Sequence, residues 1–331
     1  ARRRQFPISE ERWRAAAGGA CASPAYEIQL DDSCSTPGFA ACTFPSPEVD
    51  ADGIAELDWR PASDLAVDDG PPVGRRYYWR VRACCGVCCS DWSVPRYVDV
   101  GRVENDFNWD GWSDVVIGAP QESTESAQPG RAYMFLGGGT PDGEPDLRLT
   151  GRPGTDKRFG RSVAGVGDVN ADGFADLLIG APGSGATWWG GDTPGWAFLY
   201  LGRSSLSDVP DFTWTGGDPP TALGSAVAGG GDFNGDGFAD LLVTEPGPTG
   251  SSGESIALHV VLGAVTPAEE LVFELDGQTD ATHCPRHVAN TGDVNGDGFA
   301  DFVVGLPNSS GGDTALLYFG GPVIDRTADL E

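Results

Sequence analysis

Lysine is almost absent from this 331-residue chain, and positive charge of any kind is scarce: 21 Lys and Arg stand against 49 Asp and Glu, for a formal net charge of -28. So acidic a balance argues against a phosphate backbone or an anionic membrane as partner and favours cations. No apolar run reaches the roughly 18 residues of a spanning helix, so no membrane span is expected. The chain also lacks a Gly-x-Ser-x-Gly elbow, a His-Glu-x-x-His helix and a P-loop. Two carboxylates suffice for glycosidase chemistry, but the ordered ones here fall in repeated loops, and the expectation is a non-catalytic protein. No leader peptide is visible; Ala1 before Arg2-Arg3-Arg4 fits a cleaved start or an arbitrary boundary, and the arginines read as a solvated tail.

Cysteine is nearly missing from residue 90 onward. Seven of the eight (Cys21, Cys34, Cys42, Cys84, Cys85, Cys88, Cys89) precede it, and only Cys284 follows. Dense cysteine in a small, loop-rich segment points to disulfides and an oxidising, extracellular compartment. The rival is a metal cluster on Cys84-Cys85-Gly-Val-Cys88-Cys89, which lacks the second matching pair a zinc ribbon uses. Cys284, left over, either ties the second part to the first, bonds another chain or stays free. His283 and His287 beside it offer imidazoles, but on a strand Cys284 would point away from both. Trp188, Trp189 and Trp196 could form an aromatic platform for a sugar or protein; the plainer reading is a blade loop.

What is present in excess is Gly, at 49 residues, and Pro, at 25, which suits short strands and tight turns. One acidic loop of nine residues occurs four times: Asp106–Asp114, Asp168–Asp176, Asp232–Asp240 and Asp293–Asp301. Its first aspartates are 62, 64 and 61 residues apart. A period of that length marks a repeat array. Each loop has Asp at positions 1, 5 and 9, Asn at 3 and Gly at 6. Ca2+ is a hard cation taking about six to eight oxygens. The side chains of Asp106, Asn108, Asp110 and Asp114 would supply four of them, as would Asp168, Asn170, Asp172 and Asp176; Asp232, Asn234, Asp236 and Asp240; and Asp293, Asn295, Asp297 and Asp301. The position-7 carbonyl (Trp112, Phe174, Phe238, Phe299) adds another, and Gly at position 6 permits the sharp turn. Up to four structural Ca2+ ions are expected. Three crowded carboxylates without a cation would repel one another. Turn-forming Asp-Asn-Gly clusters explain one copy, but not four in register.

After each loop comes a strand expected to be buried (Val115–Ile117, Leu177–Ile179, Leu241–Val243, Phe302–Val304), a Gly-x-Pro-type turn, and a second strand ending in Gly137, Gly202, Gly263 or Gly320. A weaker third strand (Asp146–Leu149) and a return strand (Ser162–Gly167) make about four strands per repeat, the content of a propeller blade. With Phe159-Gly160 and Gly180-Ala181-Pro182, the pattern resembles the FG-GAP repeat of integrin α-chain propellers and of many secreted bacterial proteins. The resemblance implies a calcium-bound β-propeller, usually of seven blades, where only four repeats are present here.

Residues 1–102 read as a separate β-domain. In Tyr77–Ala83, Tyr77, Trp79, Val81 and Ala83 share the inward face, while Tyr78, Arg80 and Arg82 stand outside. With Tyr26–Leu30 and Ser90–Ser93, this part resembles a fibronectin type III sandwich of the bacterial extracellular kind. It departs from that kind in its cysteines and its short N-terminal end, where Arg12-Trp13-Arg14 would be the second strand. The expectation is an all-β chain, a fibronectin III-like sandwich over 1–102 followed by FG-GAP blades over 103–331. As function it implies a secreted or surface adhesion or recognition module, whose partner is a cell-surface protein or glycan or copies of itself. Two alternatives stand beside it. One is a subunit of an extracellular filament completed head to tail, since both ends of the array look unfinished and bare strand edges invite pairing. The other is the accessory region of a larger secreted enzyme.

Overall fold

The computed structural model describes residues 6–7, 24–33, 42–55, 58–59, 61–67, 75–93, 95–100, 103–122, 129–152, 154, 157–183, 193–217, 220–247, 256–267, 270–275, 287–306 and 314–330. Every regular element among them is a strand. No helix of the described residues is long and apolar enough to cross a membrane. The chain divides into two compact units, Ala1–Arg102 with Gly296–Gly298, and Val103–Asn295 with Phe299–Glu331. Arg2-Arg3-Arg4, Arg12–Arg14, Cys21, Cys34, Trp188, Trp189, His283 and Cys284 lie outside the described residues.

The first unit holds β1 (Phe6–Pro7), β2 (Ala25–Asp31), β3 (Val49–Ile54), β4 (Asp58–Trp59), β5 (Arg75–Cys85), β6 (Cys88–Cys89) and β7 (Arg96–Val100). One sheet runs β3-β2-β5-β6 with β7 also on β5, and β1 pairs β4 separately. Tyr77, Val81 and Ala83 are buried together with Tyr26, Ile28 and Leu30. The other face of β5 differs from expectation. Tyr78 is buried, and Arg80 and Arg82 are held down on aromatic rings: both guanidinium groups lie over Trp92, at 4.7 and 4.4 Å, and Arg80 also lies over Phe44 at 4.3 Å. Arg82 pairs Glu27 and Arg80 donates to Gln29 on the neighbouring strand. Desolvated cation–π contacts let a charged residue cover a sheet face that alternation alone assigns to water. Cys84 and Cys89 oppose each other across the β5–β6 hairpin and form a disulfide. Cys42 and Cys85 are disulfide-bonded too, whereas Cys88 is a free, exposed thiol. With their sulfurs in bridges, Cys84, Cys85 and Cys89 are not thiolate ligands for a metal cluster.

The second unit is a row of antiparallel sheets. The first contains β8 (Val115–Ala119), β9 (Arg131–Phe135) and β10 (Leu147–Thr150). The second contains β11 (Ser162–Gly165), β12 (Leu177–Ala181), β13 (Trp196–Tyr200) and β14 (Phe212–Thr215). The third contains β15 (Val227–Gly231), β16 (Asp240–Pro246), β17 (Ile256–Val261) and β18 (Glu270–Leu275). The fourth contains β19 (His287–Gly292), β20 (Asp301–Leu306) and β21 (Thr314–Tyr318). In each four-stranded sheet the strands are ordered as in sequence, since antiparallel neighbours can be joined directly, without a crossover.

Three apolar layers lie between successive sheets. Met134 and Leu149 of the first sheet meet Leu177 and Ile179 of the second. Leu178 and Leu199 meet Leu241 and Val243. Leu242 and Val260 meet Phe302 and Val304. A strand buried on both faces reads as a continuous apolar run, as Leu177–Ile179 and Leu241–Val243 do. The first sheet departs from the expectation drawn from repeat likeness: Val115 is 54% and Ile117 51% exposed. Their counterparts Leu177 and Ile179 are covered by the preceding sheet, and no described residue plays that part for β8. Trp196 is no exposed platform either; it stacks on Phe198 and lies under the Arg152 guanidinium.

Candidate metal loops

The second, third and fourth acidic loops enter inner strands of their sheets, β12, β16 and β20, whereas the first enters β8, an edge strand. The sharp reversal has a backbone signature that recurs in all four copies. Position 6 takes positive φ at Gly111, Gly173, Gly237 and Gly298 (93°, 99°, 92° and 90°), and so does position 4, at Trp109, Ala171, Gly235 and Gly296 (61°, 60°, 75° and 78°). Only glycine adopts such angles without strain, so the first two loops carry a penalty at position 4 that the last two avoid.

The carboxylates are tied into this turn. Asp106 accepts from the amides of Asp110 and Gly111 at 3.0 and 2.8 Å, and Asp168 from Asp172 and Gly173 at 3.0 and 2.7 Å. Asp232 accepts from Gly235 and Gly237. The Asn amide at position 3 donates to the Asp at position 5 at 2.9 Å in the first three loops, and that Asp accepts the position-7 amide. In the first three loops, positions 1, 3 and 5 are therefore tied together around one turn, with the amides of Trp112, Phe174 and Phe238 donating into it.

Position 9 is built differently. Asp114, Asp176, Asp240 and Asp301 are all buried. One oxygen of each accepts the position-2 amide (Phe107, Val169, Phe233, Val294) at 2.7–2.8 Å. The other accepts the amide of the glycine that ends the second strand (Gly137, Gly202, Gly263, Gly320) at 2.8–2.9 Å. These glycines are required by space: a Cβ at Gly202, Gly263 or Gly320 would fall on the carbonyl oxygen of Ala175, Ala239 or Ala300.

Burial of this negative charge raises the acid pKa values. Burial, reinforced by the nearby charges of Asp106 and Asp110, outweighs two amide hydrogen bonds and pushes Asp114 up to about 6. Asp176 and Asp240 are pushed well above the ordinary carboxylate value for the same reason, and Asp106 upward by burial. Buried carboxylates are stable as anions only when hydrogen-bonded and paired with positive charge. The side chains of each loop offer oxygen donors and an excess of negative charge, a donor set that fits a hard divalent cation; in the fourth loop the Arg96 guanidinium also donates to the Gly298 carbonyl.

The loops also join sheet to sheet, which their acidic signature conceals. The position-1 carbonyl accepts the position-8 amide of the following loop: Asp106 from Ala175, Asp168 from Ala239, Asp232 from Ala300, at 3.3, 3.1 and 3.0 Å. Arg203 and Gly321 donate likewise to the position-2 carbonyls of Phe107 and Phe233. The position-2 side chains Phe107, Val169 and Phe233 are buried in the layer against the next sheet. On the surface above, Trp109 at position 4 meets the Phe174 ring of the next loop edge-on at 4.8 Å, and a Cβ at Gly235 would touch the ring of Phe299. The readable signal was an apolar residue at every position 2 and an aromatic one at every position 7.

Two further clusters escaped the sequence. Asp31, Asp32 and Glu48 bring carboxylate oxygens within 4.8 Å of one another, but Ser33 and Ser46 donate to Asp31 and Arg75 pairs Asp32. Glu245 joins His259 at 2.5 Å, Thr221 and the Gly217 amide.

The family model of the FG-GAP repeat matches residues 159–195, 223–258 and 286–318. Integrin alpha-5 of Xenopus laevis is 36% identical over 149 residues, 42% of this chain and 14% of that protein. Integrin alpha-7 of Rattus norvegicus is 38% identical over 175 residues, 51% of this chain and 14% of that protein. Integrin alpha-E of Mus musculus is 35% identical over 147 residues, 42% and 12%. The match thus spans about a seventh of each relative's length. The chain contains three FG-GAP repeats homologous to those of integrin α chains, which gives its sheets the character of propeller blades.

Proposed function

We propose that this chain is a non-catalytic, extracellular adhesion or recognition module whose blades are held in place by up to four structural Ca2+ ions. The homology to integrin α chains supports the adhesion reading, and it makes a cell-surface or extracellular protein or glycan the partner class. The observation that carries the calcium reading is the four-fold recurrence of one turn, with buried carboxylates and an all-oxygen donor set. The ligands are positions 1, 3, 5 and 9 and the position-7 carbonyl of each loop. Bound there, the ion neutralises the crowded carboxylates and stiffens the turn that links one blade to the next. The unit before the blades is read as fibronectin type III-like, supported by the β3-β2-β5-β7 order; an experimental structure without a second sheet facing this one would remove that reading.

At free Ca2+ about 100-fold above Kd, each site adds roughly 2.7 kcal/mol to folded stability. Titration calorimetry and melting with and without chelator test this. The expected outcome is saturable binding and a rise in Tm; heat-silent titration with an unmoved Tm rejects it. A second reading, a subunit of an extracellular assembly, is favoured by the apolar residues exposed on the first blade, Val115 and Ile117.

A further inference from the structure

The β5–β6 hairpin holds four cysteines in two facing pairs. Cys84 stands opposite Cys89, and Cys85 opposite Cys88. Gly86, at a φ of 62°, and Val87 make the turn between them. Side chains alternate along a strand, and directly opposed residues share a face. The two pairs therefore lie on opposite faces of the hairpin. Cys84 is on the face of Arg82, where its sulfur meets the Glu27 carboxylate at 3.2 Å, and it is bonded to Cys89. Cys85 and Cys88 share the other face.

The members of that second pair are in different states. Cys88 is a free, exposed thiol. Cys85 is exposed too, but its sulfur is already in a disulfide. Its bonded partner is not Cys88, and Cys84 and Cys89 are taken up by each other, so that partner lies outside the hairpin. A thiol thus faces, across one strand spacing, a disulfide to which it does not belong. The backbone suits a bond between the two. Ser90 donates its amide to the Ala83 carbonyl, which makes residues 85 and 88 the next hydrogen-bonded pair, with Cα atoms about 5.5 Å apart. That spacing falls within the roughly 4.4–6.8 Å that disulfides span, and exposed disulfides are among the labile ones.

We propose that Cys88 is the attacking thiol of an internal thiol–disulfide exchange at Cys85. The Cys88 thiolate attacks the Cys85 sulfur. The bond from Cys85 to its present partner breaks, and the electron pair leaves on that partner's sulfur. The partner takes a proton from water, replacing the one Cys88 gave up, and a Cys85–Cys88 disulfide forms. One S–S bond is made and one is broken, so no oxidant or reductant is consumed. The hairpin then closes on itself with a disulfide on each face, and the cross-link that anchored Cys85 elsewhere is released. The Cys84–Cys89 bond is spared because it lies on the opposite face.

Peptide mapping tests this. Trypsin cutting after Arg82 and Arg96 leaves all four cysteines on one peptide, residues 83–96. Before exchange that peptide is joined through Cys85 to a second one and takes an alkyl label at Cys88. After exchange it is free and unlabelled, with two internal disulfides. The full chain is incubated in mildly alkaline buffer without reductant, since the thiolate is the nucleophile, then trapped with N-ethylmaleimide and digested. The released, unlabelled peptide is expected to accumulate with time at constant total thiol, while label appears on the cysteine that Cys85 has left. Cys88→Ser is expected to abolish that product. Blocking the thiols of the native wild-type chain before incubation should do the same without a substitution. A peptide that stays cross-linked and labelled at Cys88 throughout overturns the proposal. So does loss of the Cys85 cross-link at an equal rate in Cys88→Ser.

Discussion

Ala171 shows at the scale of one residue how a repeat tolerates a misfit. Its φ of 60° belongs to glycine, which Gly235 and Gly296 supply at the same place in the later loops. Relieving a left-handed L-residue recovers about 1 kcal/mol. Ala171→Gly is therefore expected to raise stability by that amount in urea denaturation, with an unchanged m-value. Gly202→Ala should do the opposite, by about 1–3 kcal/mol, because its Cβ collides with backbone and displaces the amide that Asp176 accepts. Glu245 gives a pH-dependent counterpart. Burial alone would raise its pKa, but His259, Thr221 and the Gly217 amide hold it at about 2, below its ordinary 4.5. A carboxyl depressed on folding stabilises the fold above pH 4.5, and that stabilisation fades as pH falls toward 2. Glu245→Gln should therefore cost on the order of 2–3 kcal/mol at pH 7, with the difference from wild type closing near pH 2; a pH-independent difference would show that the charge is irrelevant.

Among elements, the loops are not equivalent. The first three have their position-1 carbonyls capped by the following blade and their position-2 side chains buried in it. The fourth has Val294 and Asp293 exposed. A ligand cage backed by a packed neighbour loses less freedom on binding. Calorimetry is thus expected to resolve a tighter class of sites from one weaker site, and Asp297→Ala should abolish the weak phase alone. The strands themselves were legible because apolar runs stand between an acidic turn and a terminal glycine. So was the loop turn, through Gly at position 6. Not legible was the environment of Val115 and Ile117: periodicity assigns every repeat the same burial, yet burial depends on having a neighbour. Arg80 and Arg82 escaped for a related reason, since alternation places them outside and the rings of Trp92 and Phe44, which belong to other segments, cover them. The sheet-to-sheet role of position 2 was hidden behind the more conspicuous carboxylates.

For the molecule as a whole, the interlocked position-2 joints have a bearing on how such a chain can lengthen. A segment copied from any point in one repeat to the same point in the next carries one inserting residue and one receiving face, in matched register. Duplication therefore creates a satisfied joint at once, with no compensating substitution needed. An excision of one whole period is equally silent at the joints that remain. Changes of length inside the nine-residue loop behave differently, because they shift position 2 relative to position 9 and break the shared amide bonds on both sides. Gain and loss of whole blades is thus the mode of change that leaves the joints intact, while the loop length must stay fixed; the spacings of 62, 64 and 61 residues differ only outside the nine-residue loops.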